Sequence, residues 1–147
     1  MLYQGCCHCG SVGYTYETEL PPAQWSLRAC QCSFCRAHGA CTTSDPNGTI
    51  AFFDPDGRLR RYRFGHRITD FLICGRCGVY VGAVTEHADA PLAVINANAL
   101  RPRQQGVKAP SSATYDGEGI EARNRRRQRA WTPCAGVVRQ PAPEGAC

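Results

Sequence analysis

Seven of the eleven cysteines fall into three tight groups, Cys7-x-Cys9, Cys30-x-Cys32-x-x-Cys35 and Cys74-x-x-Cys77, and the fold must accommodate sulfur at these spacings. Short spacings let neighbouring thiolates reach one ion, and a second pair from a distant turn completes a tetrahedron while tying two parts of a sheet together. The strongest of these signals is Cys74-Gly75-Arg76-Cys77-Gly78, whose final glycine lets backbone N–H groups fold toward sulfur. Cys7-x-Cys9 is weaker alone, but the two pairs together make a closed four-thiol zinc site. Cys30, Cys32 and Cys35 then remain as a set of three, and that count is informative. A structural zinc is closed by four protein ligands, whereas a catalytic one keeps three and leaves a position open. Spacing equally admits a partition in which members of the middle group join Cys74 and Cys77. It also admits one in which Cys6, Cys41, His8 or His38 closes the middle site.

At 147 residues the chain is one domain, large enough to bury a core without depending on metal for all of its stability. Met1-Leu2-Tyr3-Gln4-Gly5-Cys6 has no basic stretch leading into an apolar one, so no secretory signal is expected. No apolar run approaches the ~20 residues that cross a bilayer, and no membrane partner is expected. The expectation is a cytoplasmic protein whose clustered cysteines serve as metal ligands or catalytic thiols rather than disulfides. Their odd number also prevents complete pairing. Residues 1–100 carry eight arginines and eight acids, while residues 101–147 carry nine basic residues against four acids, so the whole +5 excess lies in the last third. A nucleic-acid binder usually carries its basic stripe on the folded body, and the neutral body argues against that partner.

Val12, Tyr14 and Tyr16 alternate with Gly13, Thr15 and Glu17, a period of two that predicts a half-buried strand leaving the first cysteine turn. Asp45-Pro46-Asn47-Gly48 and Asp54-Pro55-Asp56-Gly57 are turn sequences, with short strands over residues 50–53 and 59–64. Phe71-Leu72-Ile73 enters the Cys74 turn and Val79-Tyr80-Val81 leaves it, predicting a hairpin that carries two thiols. Residues 92–100 predict one more strand, with Asn96 and Asn98 on one side of it. Phe34, Tyr62, Phe64 and Phe71 are expected in the core, and His8 is expected to point away from metal.

From Arg101 the composition shifts to Arg, Gln, Pro and Ser, which sets a β domain at 1–100 and an arm at 101–133 packing on it. Within the arm, Asp116 is expected to cap a helix over residues 118–131 that Pro133 stops. Ile120 and Trp131 lie near one face, and Arg123, Arg125, Arg126, Arg127 and Arg129 read as a solvated surface, with an anion or nucleic-acid surface as the competing reading. Residues 134–147, including Cys134 and Cys147, are expected to be disordered.

Three motifs in this order resemble the glutathione-dependent formaldehyde-activating enzyme family, which includes the CENP-V domain and has the Mss4-like fold. They are Gly5-x-Cys7-His8-Cys9-Gly10-x-Val12, Cys30-x-Cys32-Ser33-x-Cys35-Arg36 and Phe71-x-x-Cys74-x-x-Cys77-Gly78. The resemblance implies a mainly β architecture of antiparallel sheets joined at a structural zinc, here followed by a C-terminal helix. It implies that Cys7, Cys9, Cys74 and Cys77 hold that zinc, and that Cys30, Cys32 and Cys35 are catalytic and hold a second, exchangeable zinc beside which glutathione binds. The implied activity is carbon–sulfur lyase chemistry, condensing formaldehyde with glutathione to S-hydroxymethylglutathione, so the implied partners are a small thiol and a small aldehyde. Arg36 is the candidate for holding a glutathione carboxylate and His38 for an acid, a base or a fourth ligand. The competing readings are an arginine packed on the loop and a solvated loop histidine. His38-Gly39-Ala40 and Asn96-Ala97-Asn98-Ala99-Leu100 depart from the usual family pattern, and the arginine-rich helix lies outside the shared motifs. The competing function is a non-catalytic zinc-stabilised binding module acting through a protein or nucleic-acid partner.

Overall fold

Period-two alternation becomes strand in a computed structural model, which describes residues 1–87 and 90–140. The elements run β1 (Leu2–Cys6), β2 (Gly13–Glu17), β3 (Arg28–Cys30), α1 (Ser33–Ala37), β4 (Thr42–Thr43), β5 (Thr49–Phe53), β6 (Leu59–Tyr62), β7 (Asp70–Cys74) and β8 (Tyr80–Thr85). They continue with β9 (Leu92–Asn96), β10 (Ser111–Ala113), α2 (Ile120–Ala130) and β11 (Thr132–Val138). The protein is therefore mainly β with a helix near its C-terminus, as expected. Among the described residues no helix is long and apolar enough to cross a membrane.

β1, β2 and β5 pair antiparallel, and so do β6, β7, β8 and β9 in succession. β9 is buried along its whole length because both its faces are covered, Ala93 and Ile95 in one apolar cluster and Leu92 and Val94 in another. β8 lies on one edge, and β4 and the start of β11 share the other. Alongside these antiparallel sheets two pairings are parallel, β10 with β3 and β11 with β5, so the sheet is mixed. β10 and β11 thus join the segment after residue 100 to the body, and Arg101 N–H donates to the Gln4 carbonyl at 2.9 Å.

The expected disorder from residue 134 is also corrected. β11 starts against β9 through Thr132 and Pro133, shifts register after Cys134, and continues along β5 through Val137 and Val138. Gly136 makes the shift at φ 98°, a conformation open to glycine at little cost. Cys134 is buried and the two valines suit a pleated surface. Residues 141–147, including Cys147, lie outside the described residues. Helix α2 differs from expectation at its start, where Gly119 rather than Asp116 is the cap and no side chain bonds the first turn. It ends where Trp131 turns extended at ψ 155°.

The core is built from Tyr14, Tyr16, Ile50, Phe52, Leu72, Val81 and Ile95, all shielded from solvent. Tyr14 places its hydroxyl on the Asn96 carbonyl at 2.9 Å, which satisfies a buried donor. Its ring lies against Gly5, where a Cβ would collide with the ring and stand 2.8 Å from the Ala99 carbonyl oxygen. Gly5→Ala is accordingly expected to cost about 2 kcal/mol by overpacking. A denaturant midpoint equal to that of the parent would contradict this close approach. Tyr62 and Phe64 are corrected from core to periphery, Tyr62 being 49% exposed and Phe64 half-buried. Phe34 and Phe71 are half-buried against the apolar cluster of Tyr80, Val94 and Trp131, and the four rings gather beside it. Phe34 lies 4.6 Å from Phe71, 5.4 Å from Phe64 and 5.7 Å from Tyr62.

Candidate metal centres and the adjoining cavity

Two turns, each with its leading cysteine N–H bonded to the carbonyl five residues on, bring four cysteines together. At the end of β1, Cys7 N–H donates to Val12 at 2.8 Å and Gly10 N–H to Cys7 at 3.1 Å. At the end of β7, Cys74 N–H donates to Val79 at 2.9 Å and Gly78 N–H to Cys74 at 2.9 Å. Gly10 at φ 76° and Gly78 at φ 77° make the two reversals possible. The second cysteine occupies the third position of one turn and the fourth of the other, so the turns share a frame although their spacings differ.

The sulfurs of Cys7, Cys9, Cys74 and Cys77 all lie within 4.8 Å of one another. Cys7 and Cys9 are 3.6 Å apart, and Cys9 and Cys74 3.7 Å. Four thiolates at ~2.3 Å from a tetrahedral zinc stand ~3.8 Å apart, so the donor set fits that ion. Val12 N–H points at the Cys7 sulfur at 3.4 Å. Hydrogen bonding to Ser11 brings Cys9 down to about 6, while burial pushes Cys7 up. A divalent cation among them would displace the protons that burial retains. His8 is exposed, as expected.

The middle group forms a separate cluster, which excludes the partition that shared Cys74 and Cys77 with it. β3 delivers Cys30, and Cys32 caps the short helix α1 by accepting from Cys35 N–H at 3.4 Å. That turn places the sulfurs of Cys30, Cys32 and Cys35 within 4.8 Å of one another. Hydrogen bonding from Cys35 brings Cys30 down to about 5 in spite of burial, and the same contact pushes Cys35 up. Among the described residues neither Cys6, Cys41, His8 nor His38 joins the group, so its protein donors number three.

These three cysteines line a cavity of about 480 Å³, within the range that accepts a small ligand. Phe64, Phe71, Tyr80 and Trp131 supply its apolar wall, and Arg28, Arg123, Arg126 and Arg127 its charge. A second cavity of about 570 Å³ touches Cys30 and Cys35 and is lined by Arg36, Asn98, Arg103 and Lys108. Arg36 is thus beside the group but outside the first cavity. His38 lines neither cavity and packs on Phe34, with ring centres 4.5 Å apart.

The solvated reading of the helix arginines is corrected for one face of α2. Arg127 is buried, Arg123 and Arg126 are half-buried, and only Arg125 and Arg129 are exposed. Glu118 accepts from Arg126 at 2.9 and 3.0 Å and pairs with Arg123 at 3.4 Å. Arg126 also lies 3.8 Å over the Tyr115 ring, and Arg127 4.5 Å over Trp131. Arg123, Arg127 and Trp131 recur every fourth residue, a helix face that was legible in the sequence. Arg28, Tyr80 and Glu118 carried no such signal, since only the sheet and the 115–119 turn bring them to the cavity.

No family model matches the chain, and no curated protein matches it significantly. A solved Rhodobacter sphaeroides protein from a structural-genomics programme is 26% identical with a TM-score of 0.51, covering 75% of this chain and 99% of that one. That protein is described without an activity. The chain is therefore similar in fold to a bacterial protein of known structure.

Proposed function

We propose that the protein is a zinc-dependent enzyme of carbon–sulfur lyase type, forming or cleaving the adduct between glutathione and a small aldehyde such as formaldehyde. The position of Cys30, Cys32 and Cys35 carries this reading: they line a ligand-sized cavity, while Cys7, Cys9, Cys74 and Cys77 account for a separate four-donor site. The motif resemblance to the glutathione-dependent formaldehyde-activating family, with its Mss4-like fold, supports the same assignment. Held by three thiolates, which leave it little Lewis acidity, zinc would supply a place for an incoming thiol to be bound as its thiolate. Adduct formation then joins sulfur to the aldehyde carbon, the carbonyl electron pair moves to oxygen, and that oxygen takes up the proton the thiol has lost. Phe71, Tyr80 and Trp131 keep water from one side of the cavity, and Arg36 in the adjoining cavity is placed to receive a carboxylate of the tripeptide.

Zinc-loaded protein is expected to hold two ions per chain, one of them released by a mild chelator. Magnetisation-exchange NMR on glutathione and formaldehyde should show adduct exchange at least about tenfold faster with protein than without. An unchanged exchange rate together with no glutathione binding would remove the enzymatic reading.

A further inference from the structure

We propose that Arg127 is an oxyanion receptor in the cavity beside the three thiols, so that the ligand taken there carries a carboxylate as well as its sulfur. The thiol part rests on the function proposed above; the anion part stands on the cavity alone. Arg127 is only 5% exposed, and it lines the cavity. Its Nε and Nη1 are buried and have no hydrogen-bond acceptor among the described residues. A guanidinium buried without an acceptor costs several kcal/mol, and it does not relieve this by losing its proton near neutral pH. Burial lowers its proton affinity to about 10, which still leaves it charged.

Among the described residues no neighbour removes that cost. Trp131 lies beneath the guanidinium at 4.5 Å, where the ring face attracts the charge but accepts neither N–H. Glu118 is committed to Arg126 and Arg123. The remaining cavity carboxylate, Asp116, is exposed on the 115–119 turn. Five arginines and two carboxylates line the space, beside three thiols whose geometry could hold a cation. An oxyanion is the ligand chemistry that answers such a site, because guanidinium N–H groups pair with carboxylate or phosphate oxygens by charge-assisted hydrogen bonds. The volume of about 480 Å³ and the burial of Arg127 suit a small-molecule carboxylate and not an extended polyanion.

The test is calorimetry on the zinc-loaded full chain with 3-mercaptopropionate, 3-mercapto-1-propanol, propionate and inorganic phosphate. Mercaptopropionate is expected to bind at least about tenfold more tightly than mercaptopropanol, the scale of one charge-assisted pair. Arg127→Gln should erase that preference and leave mercaptopropanol affinity unchanged, whereas Arg125→Gln, at an exposed position, should preserve it. Arg127→Lys, which keeps the charge, should retain part of it and covers the case in which the glutamine variant does not fold. Equal affinities for the two thiols, or a preference that survives Arg127→Gln, overturns the receptor while leaving the thiol reading intact. Propionate binding that depends on Arg127 while neither thiol binds supports the receptor and removes the thiol reading. Phosphate binding more tightly than propionate overturns the choice of carboxylate.

Discussion

Cys74→Ser is expected to lower the melting temperature by at least about 10 °C and to lose the metal of the four-cysteine cluster. Structural zinc contributes about 10–16 kcal/mol to small domains that form around it, so even one ligand's share is about 3 kcal/mol, or some 10 °C for a chain of this size, and loss of the ion costs more. Cys74 is 1% exposed at the end of β7, and its sulfur stands 3.7 Å from Cys9 in the turn that follows β1. Its loss therefore releases the tie between the β1–β2 and β7–β8 hairpins, and a serine hydroxyl does not ionise to replace the thiolate. Calorimetry alongside metal analysis checks this. A melting point within about 2 °C of the parent with metal retained would show that the cluster does not support the fold.

Cys30→Ser should separate chemistry from stability. Metal content is expected to fall from two ions to one, and thiol–aldehyde exchange by about a hundredfold or more, since even the outer partners of a metal site are worth 10–100-fold. The fold should hold, because the cap of α1 is the Cys32 sulfur on Cys35 N–H, which the substitution leaves in place. The β3 pairing is also carried by backbone. Retention of both ions with exchange at the parent rate would place the reaction elsewhere. A variant that loses both ions would show instead that the two clusters are not independent.

The two cysteine turns were legible because their chemistry is local. Cys7 to Gly10 and Cys74 to Gly78 each fix a reversal within a few residues, through a glycine at positive φ and a backbone bond to the leading cysteine. The hairpin around Cys74 and the strand carrying Tyr14 and Tyr16 were legible for a similar reason, since period two records which face is buried. β11 was not legible. Cys134-Ala135-Gly136-Val137-Val138 has little alternation, and its order comes from two partners far away in sequence, β9 and β5. Tyr62 and Phe64 misled in the opposite sense, because aromatic residues signal apolar contact without saying whether it lies in the core or in a surface stack.

The arginines of α2 show the same division. Their spacing gave a helix and a face, but charge in a sequence reads as solvated until something apolar is seen to cover it. Trp131 at the end of α2 lies 4.5 Å from Arg127, and Tyr80 and the 115–119 turn bring other elements to the same cavity. Sequence by itself determined the strand-rich architecture, the paired cysteine turns and the existence of a group of three thiols, because each is encoded over a short stretch of chain. Only the tertiary structure decided that the four-thiol and three-thiol groups are distinct, that the second opens on a cavity, and that a buried arginine without an acceptor lines it. Those properties depend on which distant elements meet, a matter of long-range packing that no local pattern records.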